Sequence, residues 1–361
     1  MEKKKLASFN RESYFSYPKN RNFTSHYFKD SYSSVNESSS DNSTGKSSKN
    51  AQNGDKKKPK METLPVMSIS QMNEELKESR SSLHSVPHQL SSLVDQQLLE
   101  AKSQIENAAF TNNDSGLYTP IYRNVSMFKR TNGSDHFLAG CHDWAPAETR
   151  GLLLNTIRAL CNADIRTGFQ IGKDVSLPTT YVRSSKNPLK DMGGKPPTQR
   201  QILAFFAGRM HGYVRPVLLS HWGNDTDMRI YARMPHVKGN KNYIDHMKSS
   251  KYCICARGFA VHSPRVVESL FYDCVPVIIS DNYVPPLFEV LNWESFAVFI
   301  LEKDIVNLKK VLLSISEEKY VEMYERVKKV REHFFWHSEP VKYDLFHMIL
   351  HSVWYNRVFR M

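Results

Sequence analysis

The sequence predicts an α/β fold on a parallel sheet of the Rossmann type, and three observations carry that prediction. Short apolar runs alternate with helix-period stretches between Ile202 and Leu313. Glycines and basic residues stand directly after several of those runs, where open parallel sheets bind ligands. Composition also shifts along the 361 residues, from a start rich in Ser, Asn and Lys to an end dense in Val, Ile, Leu, Phe, Tyr and Trp. Only the second composition buries enough apolar surface to offset chain entropy. At roughly 150 residues per domain, the length fits about two domains, or one with a long tail.

The elements follow in order. Residues 1–88 read as a disordered low-complexity tail, because no helix or strand period persists. Leu90, Leu93, Val94, Leu98, Ala101 and Ile105 fall near helical spacing, so 89–130 reads as a stem with an amphipathic helix over Gln89–Asn107. Phe137–Gly140 is a short apolar run before the polar cluster His142-Asp143-Trp144. Thr149–Cys161 has helical spacing, and Ile165–Ile171 reads as a strand. Residues 176–200 carry Pro178, Pro188, Pro196, Pro197 and Gly193-Gly194, a long linker or surface loop. Strands are then expected at Ile202–Phe206, Met228–Tyr231, Lys251–Ala256, Val275–Ile279 and Phe296–Leu301. Helices are expected at Tyr213–Trp222, Tyr243–Lys248, Pro264–Asp273 and Ile305–Leu313, with two long stretches reaching Arg357.

The net charge of +12 attracts phosphates of any kind. Much of the excess sits in Lys3-Lys4-Lys5 and Lys56-Lys57-Lys58, a solvated tail without the aromatic or zinc-finger pattern of a nucleic-acid binder, so no nucleic-acid partner is expected. Five cysteines without a CxxC pair argue against structural zinc. They suit buried thiols; one disulfide is compatible with them, and the sequence selects no pairing. No run approaches 18 apolar residues, so neither a transmembrane helix nor a signal peptide is read. N-x-S/T triplets recur from Asn22 to Asn224, a weak pointer to a secretory route.

Three junctions carry candidate chemistry. In Gly208-Arg209-Met210-His211-Gly212-Tyr213-Val214-Arg215, glycines let backbone amides approach an anion, and Arg215 adds a charge-assisted contact. The alternative is a tight turn with a surface arginine. In the stretch from Gly258 to Glu268, Ser263 is a good N-cap and Pro264 a good first helical residue. Arg265 and Glu268 share a helix face, suiting a diphosphate and a ribose; the alternative is an exposed ion pair. His142-Asp143 at a strand end suits acid–base work, or Asp143 is a local cap beside a core Trp144. His347 and His351 have the spacing of metal ligands, but their apolar neighbours point to core packing, and no metal site is expected.

The stretch MKSSKYCICARGFAVHSPRVVESLFYDCVPVII (Met247–Ile279) resembles the plant exostosin-like glycosyltransferases, glycosyltransferase family 47. So do ILAFFAGRMHGYVRPVLLSHW (Ile202–Trp222), DHFLAGCHDWAP (Asp135–Pro146), EKDI, VREHFFWH and KYDLFHMILHSVWYNRV. The resemblance implies a GT-B-like fold of two facing Rossmann-like lobes, here mainly the C-terminal nucleotide-sugar domain over 201–361. It implies an inverting transfer from a UDP-sugar to a polysaccharide or glycoprotein glycan, with no tightly bound cofactor and no required metal. Carried onto this chain, Glu268 meets the ribose. Arg215, Arg265 and the Gly208, Gly258 and Ser263 turns meet phosphate, and His142 and Asp143 lie near the cleft. It implies the Golgi membrane, with other Golgi glycosyltransferases as partners; the alternative, since no anchor is read in this chain, is a cytosolic form. Two departures stand out. The family carries a membrane anchor before its stem, and an exostosin N-terminal domain of about 100 residues where Arg130 is here followed by Thr131. Residues 131–200 then read as the remnant of that lobe with its linker. The alternative function is a non-catalytic truncated isoform that only binds the nucleotide sugar. Ala256 and Asp273 replace a usual proline and a usual glycine or glutamate.

Overall fold

Each apolar run from Ile202 onward does form a parallel strand, and the strands assemble into a sheet whose connections reverse direction at one point. The computed structural model describes residues 65–81, 132–134, 136–180, 184, 186–234 and 242–358. The expectations for the chain before Pro65 and for the helix over Gln89–Asn107 lie outside the described residues.

The larger sheet contains β4 (Ile202–Ala207), β5 (Met228–Tyr231), β6 (Ser250–Ala256), β7 (Val275–Ile279) and β8 (Val298–Phe299) in the order β5-β4-β6-β7-β8. All its neighbours are parallel. β7 is buried at every position and β6 at all but one, as expected for strands covered on both faces. Helices α3 (Val214–Trp222), α4 (Asn242–Ser249) and α5 (Arg265–Phe271) connect β4 to β7. A 3₁₀ turn, Glu302–Asn307, leads into α6 (Leu308–Leu313), followed by α7 (Glu317–Val330). The edge strand β8 is two residues long, shorter than the apolar run Phe296–Leu301 promised.

The smaller parallel sheet is β1 (Phe137–Gly140), β2 (Ile157–Leu160) and β3 (Val175–Ser176), in sequence order. A single-turn α2 (Ala145–Glu148) follows β1. Here two expectations fail. Thr149–Cys161 is not a helix: Gly151, at φ 74°, ends the helical path, and Ile157–Leu160 is a fully buried strand. Ile165–Ile171 is not a strand. Asp164 caps a 3₁₀ turn by accepting from the Arg166 amide at 3.0 Å, and Gly168 closes it at φ 91°. The helical period of the first segment misled because Arg158 looks like a surface residue, yet it is buried in β2 beside Asp174.

Two helices tie the layers together. α8 (Leu345–Val358) packs on the smaller sheet through Val353, and its Asn356 amide donates to the Asp174 carbonyl at 3.1 Å. α1 (Ile69–Ser81) falls where the sequence offered no period, and it buries Met72 and Leu76 in the main core. Its start is a capping box: Ser68 Oγ accepts from the Gln71 amide at 3.2 Å, while Gln71 Oε1 accepts from the Ser68 amide at 2.8 Å. The residues 65–81 therefore depart from the low-complexity reading of the first 88.

Two disulfides, Cys141–Cys161 and Cys253–Cys274, join cysteines among the described residues, and Cys255 is free and buried. Most of these cysteines are thus oxidised rather than buried thiols. Asp273, where the resembled family uses glycine or glutamate, sits at φ 54°, a left-handed position that Asp tolerates better than most residues. Its carboxylate accepts from the Gly194 amide at 3.0 Å and pairs with Arg331.

Candidate functional site

Strand order places one crevice above all others. The chain leaves β4 toward β5 on one side and returns to β6 on the other, so the switch point lies between the carboxyl ends of β4 and β6. Gly208 follows β4, and Gly258 lies just beyond β6. The two loops touch: a Cβ on Gly212, which sits at φ 70°, would come within 2.3 Å of the Gly258 carbonyl oxygen. A Cβ on Gly208 would stand 2.1 Å from Arg265 Nη2. The backbone requires glycine at 212, whereas a side chain at 208 would displace the Arg265 guanidinium. Gly212→Ala is expected to cost more than about 2 kcal/mol, combining the left-handed penalty with the backbone clash, and to misplace Arg215. Chemical denaturation of the variant measures the first effect.

The arginines span the crevice. Arg215, buried in the first turn of α3, donates through Nε and Nη2 to the Ala256 carbonyl, both at 3.3 Å, and through Nη1 to Arg209 O at 3.0 Å. Arg265 donates through Nε to Ala207 O at 3.1 Å, through Nη2 to the same oxygen, and through Nη1 to Ser263 Oγ at 3.4 Å. Both guanidiniums lie over the Phe206 ring, 5.7 and 4.9 Å from its centroid. Neither forms an ion pair with a carboxylate among the described residues. Burial, and then the like charge of Arg265, push Arg215 down to about 10. Two adjacent cations with no ion-paired carboxylate among the described residues form a site of positive potential that an anion relieves.

Glu268 stands one helical turn after Arg265, as the spacing predicted. Its Oε2 accepts from the Tyr243 hydroxyl at 2.7 Å, and burial followed by the Glu268 charge holds that phenol well above its usual range. A narrow slot of about 40 Å³ opens beside Glu268, walled by Val267, Phe271, Phe335 and Trp336. Ser263 is buried, and α5 begins at Arg265 rather than Pro264, one residue later than expected.

His142 and Asp143 follow β1. The His142 ring is exposed, and its Nδ1 accepts from the Trp144 amide at 3.2 Å. Trp144 is 67% exposed, not a core residue. Asp143 points across to the other sheet, where its Oδ1 lies 3.0 Å from His262 Nε2. His262 Nδ1 lies 2.7 Å from Thr179 Oγ1. His262 stood inside the quoted Gly258–Glu268 stretch, but nothing local marks it, because its partner is 119 residues away. Also unanticipated is a network at the ends of β6, β7 and β8. Glu302 accepts from Arg257 at 3.2 Å, from the Asp281 amide at 2.9 Å, and from the Tyr213 hydroxyl. The strand-end position of Arg257, just before Gly258, was the available signal.

Among the described residues, no group of three or more His, Cys, Asp or Glu side chains could hold a metal ion. His347 and His351 are exposed rather than packed in the core; His347 pairs with Asp344 and His351 stacks on Tyr355. Burial pushes the Cys255 thiol up to about 12, so it carries no thiolate at neutral pH. No helix among the described residues is long and apolar enough to cross a membrane.

Comparison with known proteins adds the family. A probable glycosyltransferase of Arabidopsis thaliana is 49% identical over 236 residues, covering 64% of this chain and 45% of the relative. A probable glucuronosyltransferase of Oryza sativa subsp. japonica is 29% identical over 217 residues, 53% of this chain and 49% of the relative. A probable beta-1,4-xylosyltransferase of Arabidopsis thaliana is 27% identical over 223 residues, 55% of this chain and 51% of the relative. The chain spans about half the length of the curated relatives it matches. The exostosin GT47 domain matches residues 86–315, which cover every loop of the crevice described above, and the chain belongs to that glycosyltransferase family.

Proposed function

We propose that this chain transfers a sugar from a UDP-sugar to a polysaccharide or glycoprotein glycan, with inversion, as the donor-binding part of a GT-B glycosyltransferase. The observation that carries the reading is the pair Arg215, buried, and Arg265, half-buried, both cationic and without a carboxylate partner among the described residues, at the switch point of a parallel sheet. A diphosphate there gains charge-assisted hydrogen bonds from both guanidiniums. The Gly208, Gly258 and Ser263 turns let it approach the backbone. The same cations stabilise the charge that builds on the diphosphate as the glycosidic bond breaks, without calling on a metal ion. Glu268 accepts hydrogen bonds from the ribose hydroxyls. His142 and Asp143 supply acid–base chemistry at the acceptor.

The facing carboxyl ends of the two sheets support the GT-B reading. The Ile165 amide donates to Asn282 O at 3.1 Å and the Val284 amide to Ala163 O at 3.0 Å, so loops after β2 meet loops after β7. Two disulfides fit the oxidising secretory lumen, in keeping with action in the Golgi.

Glu268→Ala is expected to weaken UDP binding roughly tenfold while leaving inorganic pyrophosphate affinity unchanged, because only the nucleoside diphosphate carries a ribose. Calorimetric titration of both ligands into the full chain checks this. Equal loss for both would remove Glu268 from the ribose.

A further inference from the structure

The contact between Asp143 and His262 bridges the two sheets, and its chemistry goes further than a clasp. Asp143 follows β1, and His262 lies in the loop after β6, three residues before Arg265. Asn162 pins both backbones: its Nδ2 donates to Asp143 O at 2.9 Å, and its Oδ1 accepts from the Val261 amide at 3.4 Å. The His262 side chain is 9% exposed, whereas that of Asp143 is 52% exposed. One carboxylate oxygen of Asp143 is therefore committed to the imidazole, and Oδ2 has no partner among the described residues.

Hydrogen-bond accounting fixes the tautomer. An ionised Asp143 accepts only, so His262 Nε2 must carry the proton it faces at 3.0 Å. A neutral ring then leaves Nδ1 as an acceptor, and Thr179 Oγ1, 2.7 Å away, donates to it. Burial holds His262 below its usual range, against the pull of Asp143, so the ring stays neutral near pH 7. The arrangement is a carboxylate with one oxygen anchored and the other turned to solvent, in a geometry set by a buried ring of fixed tautomer.

We propose that Asp143 is the base that takes the proton of the acceptor hydroxyl, and that His262, locked by Thr179, is the positioning residue that aims it. The inference rests on the glycosyl-transfer reading above. In the step, the acceptor O–H proton passes to Asp143 Oδ2 as the acceptor oxygen bonds to the anomeric carbon. The bond from that carbon to the donor diphosphate breaks, and its electron pair leaves with the diphosphate toward Arg215 and Arg265. His262 keeps its proton throughout. A clasp that only joined the sheets would need no half-exposed carboxylate, and an asparagine would serve it equally well.

The test has a spectroscopic arm and a turnover arm, both on the full chain. Nitrogen-15 NMR of the histidine rings at pH 7, with His262 assigned by its loss in His262→Gln, is expected to show a single neutral Nε2–H tautomer. Thr179→Val is expected to mix the two tautomers. An Nδ1–H ring, or averaging in the wild type, overturns the positioning role. In the second arm, UDP release is followed from a panel of UDP-sugars. Asp143→Asn is expected to bind UDP within about twofold of wild type yet lose roughly 100- to 10,000-fold in turnover. His262→Gln, which keeps a donor facing Asp143, is expected to retain more turnover than His262→Ala. Full turnover in Asp143→Asn, or UDP binding without turnover in the wild type, overturns the base assignment. A chain that binds no UDP sinks the donor reading instead, and the tautomer result still judges His262.

Discussion

Arg158→Ala is expected to lower the unfolding free energy by about 3 kcal/mol, the largest stability effect anticipated for a single truncation in this fold. The Arg158 side chain is 1% exposed, and that of Asp174 fully buried. Removing the guanidinium strands Asp174 in the interior of the smaller sheet, and an unpaired buried charge is among the costliest defects a fold can carry. The lower end of the usual range applies, because the Lys173 ammonium remains 3.4 Å from Asp174 Oδ1. The carboxylate is more than a counter-ion. It accepts from the Arg158 amide at 3.2 Å and from the Gln170 amide at 3.0 Å. Arg158→Met with Asp174→Asn should recover part of the loss, since asparagine removes the stranded charge but satisfies only one of those donors through its oxygen. Urea denaturation of the single and double variants measures both. A loss under about 1 kcal/mol in Arg158→Ala would mean that the pair is not buried as described.

Arg265→Ala is expected to weaken UDP binding about 10- to 100-fold, the largest effect on donor affinity expected of a single substitution in the crevice. Charge-assisted hydrogen bonds contribute about 1.5–3 kcal/mol, and each 1.4 kcal/mol is tenfold in affinity. Arg265 is the cleaner probe of the two arginines. Arg215 is more deeply embedded, and truncating it strips a donor from both Ala256 O and Arg209 O, mixing stability with binding. Arg265→Lys should restore only part of the affinity, because an ammonium lacks the planar fork that serves Ala207 O, Ser263 Oγ and a phosphate together. Calorimetry at low and high salt would add a second check, since binding by two cations to a diphosphate weakens with ionic strength.

The parts of the fold that could be read from the sequence are those whose signal is local. β4, β6 and β7 are runs buried on both faces, and their apolar character survives inspection of any short window. The parts that escaped depend on distant partners. β2 carries an arginine that becomes a strand residue only because Asp174, 16 residues on, neutralises it. α1 lies in a polar stretch, and its docking partners are all distant in sequence: Asn282 Oδ1 accepts from the Met67 amide, Glu294 accepts from Ser70, and Ser79 lies against Gly172. Its Ser68-Ile69-Ser70-Gln71 capping box is nevertheless a local signal, masked by many other serines nearby. The same division runs through the site. Gly208, Arg215, Arg265 and Glu268 announce themselves by standing after strands. His262 does not, since its meaning comes from Asp143 and Thr179 in the other sheet.

A diphosphate site made by Arg215 and Arg265 in the crevice between β4 and β6 is the proposal on which the donor-binding role rests. The most direct test is a calorimetric titration of UDP into the full chain and into the Arg215→Gln/Arg265→Gln double variant, with circular dichroism confirming that both are folded. Saturable binding at one site is expected in the wild type and none in the double variant. A folded wild type that gives no binding, or a double variant that binds as well, would contradict it.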